Sequence, residues 1–433
     1  MTENNRYTRN RKHLMNKISG INILYWFCLF ILPLSYPAYG NPVEKDLAII
    51  LDTSLKEPIR AGTKIGSTVL LPSEWYKEVL KLYNQSEIGN GLEEENTYNE
   101  WRLISLRIAP CQPLVRSMKH SPHIYCWPQV RLVMQPVLEK LRLFYGRTVY
   151  NYADDRAIHM LYNVNLSSNH SYLSSAQKQR LEFLKEKITA ATQDHNNREF
   201  IPLNKSEKIE FIELRNKVSQ RLITDVLALR DPAISADGFS EHGIRPELEY
   251  TDTVDFRKNL VKFLSKYTDA SHLTKLTSFS LPSGRDPVQL DLWVFLSFEK
   301  KPGNRISPKE SPIFDQNTGK KLTTLPAITT GSMRRDSEIF YEMYGQLNTT
   351  DFNQLESQVL IYEFGNDNQT AENILNPHMI STENTSCASC HRLNNTHFNF
   401  HNLSKLNEDS TIISERVIND VAYDMLWIKK HLE

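Results

Sequence analysis

Five residues near the C-terminal end of this 433-residue chain read Cys387-Ala388-Ser389-Cys390-His391. The order Cys-x-x-Cys-His is the attachment pattern of haem c. Two thiols separated by two residues can both reach the vinyl groups on one side of a porphyrin, while the adjacent imidazole turns under the iron. The motif therefore predicts one haem c held covalently by Cys387 and Cys390, with His391 as the first axial ligand. Because only residues 392–433 follow the motif, residues upstream of it must help to cover the haem.

Other chemistries stay open for the same two cysteines. A Cys-x-x-Cys pair can exchange disulfides, but that chemistry favours a preceding buried strand, and here the polar residues Asn384, Thr385 and Ser386 come first. The pair could also bind zinc together with two nearby histidines, or form an inert disulfide. The adjacent histidine favours haem over each of these.

The second axial ligand of the predicted haem has several candidates. Histidines and methionines close to the motif are His378, Met379, His397, His401 and Met425. We place His378 first, because it follows Asn376-Pro377 in a predicted loop close to the motif. A methionine would raise the iron potential relative to a second histidine, and an open position would allow a small ligand to bind.

The first forty residues have the composition of a secretory signal. Basic residues precede an apolar run from Ile21 to Leu34, and small residues follow it up to Gly40. The run is shorter than the ~20 residues that a membrane-spanning helix needs. Residues 1–40 are therefore predicted to be a signal peptide, with Met1 or Met15 as initiator, and the protein to be periplasmic or secreted in a bacterium. An uncleaved membrane anchor is the alternative.

Two further cysteines, Cys111 and Cys126, lie between alternating apolar segments that predict two strands. Export places thiols where disulfides persist, and a bridge closing a loop of this length would contribute about 3 kcal/mol in the chain-entropy model. We predict a structural disulfide. Their spacing matches neither a Cys-x-x-Cys motif nor a common zinc arrangement.

The rest of the chain predicts an α+β fold with antiparallel hairpins. Helical periodicity covers 181–191 and 211–229, which suggests a helical hairpin, and a last helix is predicted over 414–432. Strict alternation over 288–298 predicts a strand that Pro302-Gly303 ends, and 273–281 is its predicted partner. The domains are predicted as an α+β domain over 41–300, a loop or linker over 301–330, and a mostly helical haem-attachment region over 331–433.

Charge and motif content exclude some functions and leave catalysis undecided. Lysine plus arginine equal aspartate plus glutamate at 51 each, so no global field favours nucleic acid as a partner. His159 lies near Asp154 and Asp155 in sequence, but no nucleophile motif accompanies it, and a structural role is favoured. Whether the protein is an enzyme is left open.

The chain resembles a sparsely characterised family of exported bacterial proteins over most of its mature length. The resemblance rests on an arginine-rich strand ending in Cys-x-Pro at 107–113, on Gln-x-Arg-Leu-Val-x-Gln-Pro at 129–136 after Cys126, and on Asn-Pro-His before Cys-x-Ser-Cys-His. It implies export and a cytochrome-like haem motif, but it supplies no substrate.

Three functions follow from these features. The first is an electron-transfer or haem-redox protein of the bacterial envelope, which needs the c-type cytochrome maturation machinery and an unidentified redox partner. The second is a haem enzyme or small-ligand sensor with an open iron position. The third is a non-haem secreted structural protein with a disulfide or zinc knot.

Overall fold

The structure, a computed structural model, describes residues 42, 44–51, 57–85, 95–114, 124–138, 142–144, 147–149, 152–153, 157–166, 172–193, 203–230, 254–280, 292–314, 321–325, 327–332 and 415–432. The predicted signal peptide, the haem motif and His378 lie outside these residues. Helices and a large antiparallel sheet occur together in the described part of the chain, which confirms the α+β prediction.

The strands in chain order are Ala48–Ile50 (β1), Lys64–Ile65 (β2), Thr68–Val69 (β3), Trp101–Pro113 (β4), Cys126–Leu138 (β5), Arg142–Phe144 (β6), Arg147–Val149 (β7), Tyr152–Ala153 (β8), Ala157–Asn163 (β9), Leu273–Ser280 (β10), Leu292–Lys301 (β11), Arg305–Pro308 (β12), Ser311–Phe314 (β13), Lys321–Leu325 (β14) and Ile328–Ser332 (β15). One sheet of nine strands has the order β1-β4-β5-β9-β10-β11-β12, with β8 beside β5 and β15 beside β11. Separate two-stranded sheets pair β2 with β3, β6 with β7, and β13 with β14.

The helices are Glu44–Leu47 (α1), Ser73–Gln85 (α2), Ser175–Gln193 (α3), Lys205–Leu227 (α4), Val254–Tyr267 (α5) and Glu415–His431 (α6), with 3-10 turns at Glu95–Glu100 and Ala270–His272. Within the described residues, no helix is both long and apolar enough to cross a membrane.

The central strands β4, β5 and β9 carry different residues on their two faces, because side chains alternate along a strand. One face is apolar and buried, and its residues are Leu106, Ile108, Val130, Leu132, Met134, Ile158, Met160 and Tyr162. Burying each such side chain stabilises the fold by roughly 1.5–3 kcal/mol. The other face carries Arg107 directly opposite Arg131, and His159 directly opposite Val133.

The predicted helical hairpin is confirmed as α3 and α4. Asn204 caps α4, since its side chain accepts from the backbone N–H of Glu207 while the Glu207 carboxylate accepts from the N–H of Asn204. Lys187 Nζ lies 2.7 Å from Glu207 Oε2, and Arg180 Nε lies 3.0 Å from Glu210 Oε2. The later residue of α3, Lys187, pairs with the earlier residue of α4, Glu207, and the earlier residue Arg180 pairs with the later residue Glu210, as an antiparallel hairpin requires.

The predicted hairpin of β10 and β11 is also confirmed. Leu276 lies opposite Phe298, and the pairing extends to Ser280 opposite Val294. The strand β11 ends at Lys301, before the predicted Pro302-Gly303 stop. In the turn into β12, Gly303 and Asn304 both have positive φ angles, and glycine and asparagine adopt this conformation most readily.

The range 301–330, predicted as a loop or linker, holds β12, β13, β14 and most of β15. Its lysines, threonines and prolines resemble a loop in composition, but strands at the edge of a sheet tolerate polar residues, and threonine favours strands. The strand β15 pairs with β11, and the helix α6 packs on β4. Elements from both sides of the predicted boundary therefore contact the same sheet.

Candidate functional site

The predicted haem ligands Cys387, Cys390, His391 and His378 lie outside the described residues, but the elements on either side of them are described. The chain enters the segment 333–414 from β15 and leaves it into α6. Both elements belong to the main sheet assembly, since β15 pairs with β11 and α6 contacts β4. The elements that precede and follow the segment with the haem motif are therefore both packed in the main sheet assembly.

The last helix, α6, is fastened to the domain by polar and aromatic contacts. The Arg107 guanidinium forms an ion pair with Asp424 of α6. Asn216 of α4 donates from Nδ2 to the carbonyl of His431 at 3.3 Å. The Arg215 guanidinium lies 5.3 Å from the centre of the Trp427 ring, and the Trp427 side chain is buried. The predicted helix over 414–432 is thus confirmed, and its packing partners are the sheet and α4.

A cluster of ionisable side chains lies where α6 packs against the sheet, and we call this contact region the joint. We call Arg107, Arg131, His159, Asp420 and Asp424 the sheet–helix cluster. Arg107 and Arg131 are like charges directly opposite each other on neighbouring strands, an arrangement that is unfavourable alone. The carboxylates of α6 offset it, because Asp424 pairs with Arg107 and both aspartates act electrostatically on Arg131.

Among the described residues, two glutamines hold Arg131 in place. Its Nε donates to Gln129 Oε1 at 2.7 Å, and a terminal nitrogen donates to Gln112 Oε1. At the helix side, Arg416 pairs with Asp420 at 3.0 Å, one turn along α6. The guanidinium of Arg131 is therefore fixed between the strand surface and the negative side of α6.

Burial and charge shift the pKa values in this cluster. Burial lowers the pKa of His159 to about 4, and the nearby Arg131 cation acts in the same direction. Burial raises the pKa of Asp424 to about 6, although Arg107 beside it acts in the opposite direction. His159 is therefore a neutral imidazole near pH 7, and the cluster responds to mild acid.

The structure places His159 in the middle of β9. It lies directly opposite Val133, which is two residues along β5 from Arg131, so His159 and Arg131 are on the same face of the sheet. The structural role favoured from the sequence fits this position. Asp420 and Asp424 are not identified from the sequence, although a signal exists: the two are four residues apart, so they share one face of a helix. The joint binds α6 to the sheet.

Replacing His159 with glutamine should make the protein less sensitive to acid. The unfolded chain protonates His159 below its ordinary pKa of about 6.5, whereas the native state resists protonation down to about 4. Stability is therefore lost as the pH falls through this window, by up to about 3 kcal/mol from this residue. Urea unfolding at several pH values from about 7 to about 4, followed by far-UV circular dichroism, measures the effect. In His159→Gln the loss across this window should shrink.

The variant Asp424→Asn is the matched control for that experiment, because its effect has the opposite sign. A carboxyl whose pKa is raised to about 6 in the native state takes up a proton there before the unfolded chain does, so it adds stability as the pH falls from about 6 to about 4. Removing it should steepen the acid loss. If His159→Gln and wild type lose the same stability over this range, His159 takes up its proton at the same pH in the native state as in the unfolded chain, and burial does not lower its pKa.

The other two cysteines, Cys111 and Cys126, both lie within the described residues. Cys111 in β4 and Cys126 in β5 lie at disulfide-bonding distance, with their Cα atoms 4.9 Å apart, as predicted from the sequence. Cys126 is buried, and Cys111 is partly exposed. Arg215 of α4 reaches this bridge, since its guanidinium lies 2.8 Å from Cys126 Sγ.

No group of three or more histidine, cysteine, aspartate or glutamate side chains suited to a metal ion occurs among the described residues. Comparison of the chain with models of known protein families, with curated proteins and with solved structures finds no match.

Proposed function

We propose that this protein is an exported c-type haem protein that transfers electrons in the bacterial envelope. The Cys-x-x-Cys-His order at 387–391 is the single observation that carries the proposal, because it joins two thiols and an imidazole at the spacing that haem attachment needs. Haem iron supplies reversible one-electron chemistry. Cys387 and Cys390 hold the group covalently, His391 binds the iron, and His378 is the proposed second ligand.

Export is supported by two independent features. The N-terminal residues have the basic, apolar and small-residue regions of a secretory signal. Cys111 and Cys126 lie at disulfide-bonding distance, and such bridges persist mainly outside the cytoplasm. Attachment of haem c also needs the maturation machinery, which we propose as the first partner of this chain.

The contacts of the large domain support the proposal that it anchors the segment with the haem motif. Residues 333–414 lie between β15, which pairs with β11, and α6, which is joined to the sheet by the Arg107 to Asp424 pair and to α4 by Asn216. Both ends of the segment are thus attached to one sheet assembly. We propose that the domain fixes the haem segment and offers a surface to a redox partner.

The experiment that tests the proposal is expression of the full chain, with its signal, in a host that has the c-type maturation machinery. The pyridine haemochrome of the purified protein should show one covalent haem per chain. Absence of covalent haem, in a preparation where a known c-type cytochrome matures normally, would overturn the proposal and leave the secreted structural protein as the function.

Spectra with carbon monoxide added to the reduced protein separate electron transfer from small-ligand binding. Two protein ligands on the iron, His391 and a second such as His378, leave no position for the gas, so the spectrum should stay unchanged. Immediate conversion to a carbon monoxide complex would show an open iron position and assign the protein to the enzymes or sensors.

A further inference from the structure

The two cysteines of the Cys111 to Cys126 bridge differ in their exposure to solvent. Cys126 is buried, whereas Cys111 at the end of β4 is partly exposed. A thiolate attacks one sulfur of a disulfide and expels the other, so access decides which sulfur is attacked. The exposure difference selects Cys111 Sγ for attack and Cys126 Sγ as the leaving group.

A buried cation lies against the leaving group. The Arg215 guanidinium, fully buried, lies 2.8 Å from Cys126 Sγ and 3.9 Å from Cys111 Sγ. The same side chain donates to the carbonyl of Ile124 at 2.8 Å and to Asn216 Oδ1 at 2.8 Å, and these bonds fix its direction. An adjacent arginine lowers the pKa of a cysteine and stabilises its thiolate.

Two aromatic rings lie beside this buried cation. The guanidinium carbon lies 5.8 Å from the centre of the Phe211 ring and 5.3 Å from that of Trp427. Both distances are within the range of a cation–π interaction. Burial lowers the pKa of Arg215 to about 10, which still leaves it charged at neutral pH. Charges attract each other more strongly at a dry site than in water. The Arg215 cation should therefore stabilise a thiolate at Cys126 more strongly here than at the protein surface.

We propose that Cys111 and Cys126 form a thiol–disulfide exchange site, in which a dithiol reductant attacks Cys111 and Arg215 stabilises Cys126 as the leaving thiolate. In the first step a reductant thiolate forms an S–S bond to Cys111 Sγ, and the bond between Cys111 and Cys126 breaks with its electron pair on Cys126. In the second step the other reductant thiolate attacks the reductant sulfur of this mixed disulfide and releases Cys111. The chain gains two electrons and the reductant leaves as a disulfide.

This role goes beyond that of a bridge that only holds β4 to β5. A leaving thiol of low pKa departs faster, and a stabilised reduced form makes a disulfide more oxidising. The bridge should therefore be reduced at glutathione ratios that leave an ordinary structural disulfide intact. The site is separate from the haem motif, so its test does not depend on the proposed haem.

The test compares wild type with Arg215→Met, which keeps a long side chain and removes the charge. The full-length protein is equilibrated in glutathione buffers, alkylated and digested with trypsin. Peptides 108–116 and 120–131 then report the state of Cys111 and Cys126 alone. Loss of the cation should shift the equilibrium at least about tenfold towards the disulfide, which equals about 30 mV.

The matched control is Arg221→Met, because Arg221 lies on the same helix and pairs with Asp225 at 3.0 Å rather than with the disulfide. This variant should titrate like wild type. Arg215→Lys keeps a positive charge and should recover part of the shift. An Arg215→Met equilibrium within about twofold of wild type would overturn the role of Arg215.

Wild-type protein alone provides a second test, which stands even if Arg215→Met fails to fold. Brief exposure to glutathione, followed by acid quenching, should place the glutathione adduct on peptide 108–116. An adduct mainly on 120–131, or a bridge that stays oxidised until the protein unfolds, would refute the exchange site and leave a purely structural disulfide.

Discussion

Replacing Cys387 and Cys390 together with alanine should remove all haem that survives denaturation. The thioether bonds from these two sulfurs are the predicted covalent link, and no other Cys-x-x-Cys-His order occurs in the sequence. A single replacement should leave one bond and a weaker signal. Haem staining of a denaturing gel, together with the mass of the intact protein, measures the effect in chains expressed with the maturation machinery.

Ser389→Ala is the matched control for the double replacement, because it changes the same five-residue motif but keeps both thiols and His391. It should bind covalent haem like wild type. If the double variant still carried covalent haem, attachment would have to occur at another cysteine and the assignment of the motif would be wrong. If Ser389→Ala also lost its haem, the loss would not report on the thiols.

Much of the fold follows from local patterns in the sequence. Alternation over 288–298 and the Pro302-Gly303 stop predict β11 well, because strand period and turn chemistry are local properties. Periodic apolar residues predict the helices α3, α4 and α6, and the structure places them close to the predicted ranges. The strands on either side of Cys111 and Cys126 predict their pairing.

The remainder depends on contacts between residues that are distant in sequence. Arg107 and Asp424 are 317 positions apart, and no local sequence pattern predicts that they form a pair. Arg215 looks like one polar position of an amphipathic helix, yet it is fully buried against a disulfide. The edge strands in 301–330 escape prediction for a related reason, since only their neighbours in the sheet distinguish them from a polar loop.

Replacing Asp46 with asparagine should destabilise the native state by about 3–5 kcal/mol, because it breaks a buried ion pair and leaves a buried cation. The Asp46 side chain is 0% exposed, and that of Arg230 is 8% exposed. Arg230 Nε donates to Asp46 Oδ1 at 3.0 Å, and a terminal nitrogen donates to Oδ2, so the pair is bidentate. It joins α1 to the residues that directly follow α4. Urea unfolding at neutral pH measures the loss.

Glu210→Gln is the control, because it breaks the pair with Arg180 on the α3 and α4 hairpin, where the two side chains are 39% and 40% exposed. Exposed pairs contribute about 0–1 kcal/mol, since water and salt screen them. A loss for Asp46→Asn no larger than that for Glu210→Gln would show that the buried pair does not hold α1 against α4. A large loss in Asp46→Asn alone, with part recovered when Arg230 is also replaced by methionine, is the result that the buried geometry predicts.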